Sequence, residues 1–449
     1  MSQRPARVLL LNPPFDRQVS RDCYCSNPAK SPMLPHPLDL QIQSGFFASP
    51  AFELRFIDAV FARQSPDHTL GAIKAFAPDV VLALVGAVSF ESDSLFFRRM
   101  KAALPQARLF LSGDVAKFYP DRVLEAIPEA EGLLLDFTSS ALLDYVSTGD
   151  HNPTDLYLPD QTAVPSSAPV KAREMAYPLP WAGVVTRYPY RLPFFSNPRF
   201  YSILASYGCP YQCAYCNAHL LGYKARAHEA FLEELAFAAR LGFKSLYVRD
   251  ATFGVDREQT LSLFRAWEQA GFAFEWMCFA RPDHLDEELL ACAARLGCRL
   301  MMLGVESFDE VWLHDVSKPM RMASIKEAFR LLRKVGIRSA ALLMVGMDHE
   351  SVALPDALAR YEQRLKRFLA DLDPDYISLN VFSRRPGIET QDAVVRRVEA
   401  NRQAYMSLAA RVNRAFYFNP RTLLRQSALI RTPGQLALWF SIAANLLRT

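Results

Sequence analysis

Apolar residues in this chain gather in short runs, separated by segments whose apolar positions recur every three or four residues. Residues 7–11 form the first run, closed by Asn12-Pro13-Pro14. Further runs follow at 54–57, 80–88, 109–111 (closed by Ser112-Gly113-Asp114) and 132–135. Between the third and fourth, residues 94–103 set Leu95, Phe96, Met100 and Ala103 along one helical face. Short buried strands alternating with amphipathic helices predict βαβ units around a parallel sheet. Ligands of such sheets sit beyond the carboxyl ends of the strands.

The rhythm breaks at 151–199, which hold nine of the thirty prolines and one glycine, Gly183. Repeated X-Pro steps disfavour helix and favour extended chain, so a stiff, aromatic-rich linker is expected. It resumes at 200–390. Strand-like runs lie at 201–205, 245–248, 274–279, 300–305, 339–345 and 376–382, with helical segments at 230–241, 258–270, 286–296, 322–335 and 354–370. Six strands alternating with helices predict a partial parallel barrel, with a Rossmann-like sheet as the competing reading. Residues 391–449 read as a hydrophobic helical cap. The expected fold class is therefore α/β: a Rossmann-like doubly wound domain at 1–150, a linker at 151–199, a partial TIM-type barrel at 200–390 and a C-terminal helical domain.

Composition narrows the function. The 449 residues are 51% hydrophobic and 22% charged with a net charge of +4, an ordinary globular balance that gives no reason to expect a nucleic-acid or membrane-surface partner. The apolar runs at 80–88 and 436–447 fall short of the ~20 residues that span a bilayer. Eight cysteines are too sparse for a disulfide scaffold, so a reducing cytoplasm is the expected location.

Three of those cysteines fall together in Gly208-Cys209-Pro210-Tyr211-Gln212-Cys213-Ala214-Tyr215-Cys216, directly after the first strand of the second α/β region. Three thiolates at this spacing on a loop suit three corners of an iron–sulfur cube, whose fourth iron is then left open to a ligand. A zinc knuckle completed by His219, or three free thiols, is the competing reading. Cys278, Cys292 and Cys298 fall among apolar residues and read as core.

The CxxxCxxC motif resembles that of the radical S-adenosylmethionine (SAM) superfamily, and later strand ends match in order. Tyr247 to Phe253 looks like the family's Asp-x-x-Phe strand end, Arg281-Pro282-Asp283 like its Arg-x-Asp segment, and Gly304-Val305-Glu306-Ser307 like its Gly-x-Glu-Ser motif. Lys318, Met344–Met347 and Arg385-Pro386-Gly387 follow at corresponding places. The resemblance implies a 4Fe–4S cluster on Cys209, Cys213 and Cys216. It implies SAM contacts from Glu306 and Tyr215, and from Asp250 and Arg281 for SAM or substrate. An electron donor such as flavodoxin or ferredoxin and a small-molecule substrate complete the expected partners.

Asn12-Pro13-Pro14, His36-Pro37-Leu38-Asp39-Leu40, Pro78-Asp79-Val80-Val81 and the C-terminal Phe416-Tyr417 with Pro420-Arg421 resemble the cobalamin-binding subgroup of that superfamily. The subgroup's Gly-Gly turn after the fourth strand and Gly-Glu-Gly-Glu stretch after the fifth are replaced by Ser112-Gly113-Asp114 and Leu135-Asp136-Phe137-Thr138-Ser139. Cobalamin thus stands as one expected cofactor beside the cluster and SAM. The implied activity is transfer of a SAM-derived group, methyl where cobalamin is bound. The alternatives are cobalamin-independent transfer of the 3-amino-3-carboxypropyl group to a soft acceptor such as arsenic, a 5′-deoxyadenosyl-radical rearrangement or cyclisation, and a non-catalytic metal-binding module. Cys23 and Cys25, at CxC spacing in the first loop, are candidate catalytic thiols for a soft element; Lys30 and His36 are candidate substrate contacts.

Overall fold

A computed structural model describes residues 4–22, 24, 26–28, 33–150, 154–159, 173–347, 355–388, 392–428, 430, 435–437 and 439–440. The chain divides into two compact units, Met1–Arg191 and Leu192–Thr449. The candidate catalytic cysteines Cys23 and Cys25, and Lys30, lie outside the described residues.

The first unit is built on β1 (Ala6–Asn12), β2 (Phe52–Asp58), β3 (Val80–Leu84), β4 (Arg108–Ser112), β5 (Gly132–Leu134) and β6 (Leu156–Tyr157). Their order is β2-β1-β3-β4-β5-β6, parallel except for the last pair. Chain order reverses between β1 and β3, which makes the sheet doubly wound, with a topological switch point at the carboxyl ends of those two strands. Helices α1 (Leu38–Phe46), α2 (Pro66–Phe76) and α3 (Phe90–Ala103) are among those that connect the strands. The Ser65 side chain caps α2 by accepting from the His68 N–H. Leu9, Leu11, Val81, Ala83, Leu109 and Leu111 supply strand residues to a core completed by Phe96, Phe97 and Met100 of α3. The third strand stops at Leu84 although the apolar run continues to Val88: Val85 is buried in the turn that follows. An apolar run reports burial rather than extension.

The second unit carries β7 (Tyr201–Ile203), β8 (Ser206–Gly208), β9 (Tyr223–Arg226), β10 (Ser245–Phe253), β11 (Glu275–Ala280), β12 (Cys298–Glu306), β13 (Arg338–Val345) and β14 (Tyr376–Val381). The main sheet runs β7-β10-β11-β12-β13-β14, all parallel and in sequence order. Helices α4 (His228–Arg240), α5 (Arg257–Ala270), α6 (Glu287–Arg295), α7 (Met322–Val335) and α8 (Pro355–Leu372) return the chain between successive strands. Right-handed crossovers that never reverse put every helix on one face, so the sheet curls to bury the other. This is the expected partial barrel rather than the competing doubly wound sheet. Beyond β14, α9 (Arg402–Tyr417) packs along that strand. The Tyr417 hydroxyl donates to the Ile377 carbonyl at 2.7 Å and accepts from the Ile377 N–H at 3.1 Å. Among the described residues, no helix is long and apolar enough to cross a membrane.

The strand expected at 201–205 ends at Ile203, and a second strand, β8, begins beyond that run at Ser206. β7 joins the main sheet, whereas β8 leaves it to pair antiparallel with β9. A buried charge cluster holds this branch. Glu234 of α4 accepts from the Tyr201 hydroxyl at 2.6 Å and pairs with Arg226 at the end of β9, and both charged side chains are fully buried. Removing one partner of such a pair strands the other, at a cost of about 3–5 kcal/mol, whereas apolar replacement of both is far milder. Arg226→Met is expected to lower stability by that amount in denaturant titration, and Arg226→Met with Glu234→Leu to recover most of it. A single variant as stable as the parent would contradict the assignment.

Candidate functional site

The cysteine loop leaves β8 through Gly208, whose φ of 77° belongs to the left-handed region. A Cβ at Gly208 would lie 1.5 Å from the Gly222 carbonyl oxygen, so only glycine permits this crossing. The Cys209 N–H then donates to that same carbonyl at 3.1 Å. Ala214 N–H donates to the Val316 carbonyl at 2.9 Å, and Cys216 N–H to the Cys213 carbonyl at 3.0 Å. Beside Cys216, the Asn217 side chain donates to the Pro386 carbonyl at 3.2 Å, joining the loop to the segment after β14. Cys213 is buried, and Cys209 and Cys216 are half-buried. Burial pushes the Cys216 thiol up to about 11 and raises Cys209 as well.

Residues from the other strand ends face this loop. Arg281, just past β11, is buried. Its guanidinium lies over the Tyr211 ring at 4.3 Å, pairs with Asp283 at 2.8 Å and reaches the Cys213 sulfur at 3.9 Å. The Tyr211 hydroxyl meets the His284 ring at 2.8 Å. Arg281 thus sits against a cysteine of the loop rather than apart from it. At the end of β12, the register against β13 shifts between Gly304 and Glu306, a bulge that re-aims the following side chain. Glu306 itself has φ of 65°, a strained conformation for a residue with a Cβ and one that concentrates at functional sites. Its carboxylate pairs with Lys318 at 2.8 Å, both largely buried. A Cβ on Gly304 would lie 2.7 Å from Glu306 Oε1 and 2.8 Å from Lys318 Nζ, so Gly304 makes room for the pair. Tyr215 stacks on Trp312 at 6.1 Å. Burial, with Glu306, Cys213 and Cys216 nearby, pushes its phenol well above the ordinary value.

Asp250 has a different position. It lies where β10 bulges away from β11, between Val248 and Phe253. It accepts from the Ala205 N–H at 2.8 Å and from the Ser206 hydroxyl at 2.6 Å. The carboxylate therefore anchors the start of β8, three residues before the first cysteine. The remaining cysteines separate. Cys278 and Cys298 are buried in β11 and β12, whereas Cys292 is half-buried on α6 beside Arg295 at 3.2 Å, outside the core expected for it. His36 is buried against the Tyr190 ring at 4.3 Å. Among the described residues, no three His, Cys, Asp or Glu side chains gather closely enough to hold a single metal ion. A cluster cube asks for something else, thiolates at separate corners. The motif spacing did not single out Tyr211, His284 or Trp312. Their one sequence signal is that they are aromatic rings set close to a motif residue.

Residues 203–361 match the family model of the radical SAM superfamily. An uncharacterized methyltransferase of Pyrococcus horikoshii is 23% identical over 189 residues, 41% of this chain and 40% of that protein. The hopanoid C-3 methylase of Methylococcus capsulatus is 24% identical over 42% of this chain and 35% of its own. The chain thus spans well under half of these two relatives. The cytidylyl-2-hydroxyethylphosphonate methyltransferase of Streptomyces wedmorensis is 22% identical over 77% of this chain and 74% of its own. The fold is shared with the radical SAM methyltransferase TsrM of Kitasatospora setae, solved with cobalamin and a [4Fe-4S] cluster. It superposes with TM-score 0.62 and 17% identity, covering 86% of this chain and 74% of that one. The cobalamin-dependent radical enzyme OxsB, solved with aqua-cobalamin and SAM, superposes with TM-score 0.59 and 14% identity, over 90% of this chain and 56% of its own.

Burial raises the Asp250 carboxyl to about 6 from an ordinary 3.8. The folded protein then binds more protons than the unfolded chain between those values, so this group's contribution to stability falls as pH rises from about 4 to 6. The shift of about two units corresponds to a loss of about 3 kcal/mol. Asp250→Asn keeps an acceptor for Ala205 N–H and does not ionise. Denaturant titrations at pH 4 and pH 7 should give the variant a smaller fall than the parent, by about that amount. Equal falls in the two proteins would refute the assignment.

Proposed function

From a chain whose residues 203–361 are a radical SAM domain, we propose an enzyme that cleaves SAM reductively and transfers a fragment of it to a small-molecule substrate. The observation that carries the reading is the convergence of the CxxxCxxC loop with Arg281, Glu306 and Lys318 at the carboxyl edge of one parallel sheet. That edge is where barrel enzymes keep their chemistry.

The donor set fits a cluster. Cys209, Cys213 and Cys216 are three soft ligands on one loop, and three thiolates leave the fourth iron for SAM. When bound, the cluster supplies the electron that breaks a carbon–sulfur bond of SAM. The chain's own residues do the rest. Gly208 aims the loop, and Asp250 ties its base to β10. Arg281 directs positive charge at the Cys213 sulfur. Glu306 presents a carboxylate beside Tyr215, suited to the amino group or ribose hydroxyls of SAM, with Lys318 holding it in one orientation. The buried walls of the barrel exclude water from a reactive carbon species.

The relatives named as methyltransferases support group transfer over oxidation as the overall reaction. Methyl transfer is the form the reaction takes if cobalamin is bound; transfer of the 3-amino-3-carboxypropyl group to a soft acceptor is the form available without it. A flavodoxin- or ferredoxin-type donor in a reducing cytoplasm completes the reading.

Anaerobic purification with iron and sulfide reconstitution tests the proposal. About four irons per chain are expected, and Cys213→Ala should lose them. With SAM and a strong reductant, the parent should release 5′-deoxyadenosine or methylthioadenosine, the second marking 3-amino-3-carboxypropyl transfer. Glu306→Gln should keep its iron and raise the SAM concentration at half-maximal turnover by about tenfold or more, as expected when a charged hydrogen bond worth about 1.5–3 kcal/mol is lost. A colourless, zinc-containing protein, or a cluster-bearing protein that releases neither product, would overturn the reading.

A further inference from the structure

We propose that the first unit does not bind cobalamin, because its own chain fills the crevice where a doubly wound sheet takes a ligand. The statement concerns this unit alone. Its consequence, that the transfer proceeds without a cobalt carrier, rests on the function proposed above.

The switch point between β1 and β3 is the place where helices leave on opposite faces and a ligand ordinarily enters. Here the segment after β1 turns back into that place. Arg21 is buried, with no exposed side-chain surface. Its Nη2 and Nε reach the Asp93 carboxylate at 2.7 and 3.2 Å, and Nε also meets Ser89 Oγ at 2.9 Å. Its Nη1 donates to Asn12 Oδ1 at 2.8 Å and to the Pro13 carbonyl at 3.0 Å. The guanidinium therefore binds the end of β1 to the start of α3, across the crevice itself. Asp93 is fully buried and also accepts from the Gly86 N–H at 3.1 Å.

A second closure lies beside it. Ser26 donates from its backbone N–H and its hydroxyl to Asp114 Oδ2 at 2.6 and 2.9 Å. The Ala87 N–H donates to the other oxygen of Asp114 at 3.0 Å, and the Val88 N–H donates to Ser26 Oγ at 3.1 Å. Asp114 belongs to the Ser112-Gly113-Asp114 stretch that stands in place of the cobalamin-binding subgroup's Gly-Gly turn, and its carboxylate is committed to the chain. The glycines that remain leave no vacancy. A Cβ on Gly86 would meet Ser26 Cβ at 2.9 Å and Arg21 Cγ at 3.1 Å, and one on Gly113 would meet the Val85 carbonyl at 2.3 Å. After β5, Asp136 Oδ1 accepts from the Thr138 N–H and hydroxyl, and Phe137 is buried. Glycine at a ligand site keeps the backbone open to the ligand; here the space is occupied by protein. Admitting a nucleotide tail would require Arg21 to withdraw, leaving a buried carboxylate without its counter-charge.

The test uses the whole chain. Protein is reconstituted anaerobically with iron, sulfide and excess hydroxocobalamin, then desalted, and cobalt and iron are measured on the same sample. Melting is followed with and without hydroxocobalamin. The expected result is cobalt at background and an unchanged melting temperature; a ligand at a hundred times its dissociation constant would stabilise measurably. One cobalt per chain, or a saturable rise in melting temperature, overturns the proposal. Iron tells the two readings apart. Cobalt at background with a full iron complement supports both. Cobalt at background without iron sinks the radical reading and leaves the crevice assignment standing.

Discussion

Everything at the carboxyl edge of the second unit depends on where the chain is held as it leaves the first barrel strand, and a buried carboxylate does the holding. Asp250 grips the backbone of Ala205 and the hydroxyl of Ser206. Two residues on, Gly208 passes beneath the Gly222 carbonyl at a distance no side chain allows. These two constraints fix the exit direction of the loop that carries Cys209, Cys213 and Cys216. A carboxylate buried this deeply is costly when ionised, and that cost is the counterpart of a rigid exit. The strain at Glu306 has the same character: local stability is given up so that a charged group points where the regular strand would not send it.

The two units follow the same alternation of strand and helix to different ends. In the second, strand order never reverses, and Asp250, Arg281 and Glu306 stand at or just past the carboxyl ends of its strands. In the first, the order reverses, a crevice results by topology, and the Arg21–Asp93 and Ser26–Asp114 contacts fill it. Identical local rules thus produce one edge furnished for chemistry and one closed by its own loop.

The residues that were legible in the sequence are those whose role depends on close spacing. Cys209, Cys213 and Cys216 sit within eight positions, and Gly304 and Glu306 within three, so pattern alone isolates them. The alternation of apolar runs likewise specified six parallel strands in order, with the crossover rule leaving few other arrangements. What was not legible depends on distance along the chain. Arg21 meets Asp93 across 72 residues, Tyr211 meets His284 across 73, and Ser26 meets Asp114 across 88. Asp250 was singled out by position in a motif, but its partners, 44 and 45 residues upstream, were not. β8 was not legible because Ser206-Tyr207-Gly208 carries no apolar run and its antiparallel partner, β9, lies beyond the cysteine loop.

An open barrel of six strands ends on a strand with one unpaired edge, the kind of surface that recruits strands from other molecules. In this chain the Tyr417 hydroxyl occupies both the N–H and the carbonyl of Ile377, and the Gln426 side chain donates to the Asp375 carbonyl at 2.8 Å. Side chains from the terminal helices thereby stand in for a seventh strand over the first rungs of β14. Backbone groups that an open edge would offer to another chain are in this way satisfied from within the same chain.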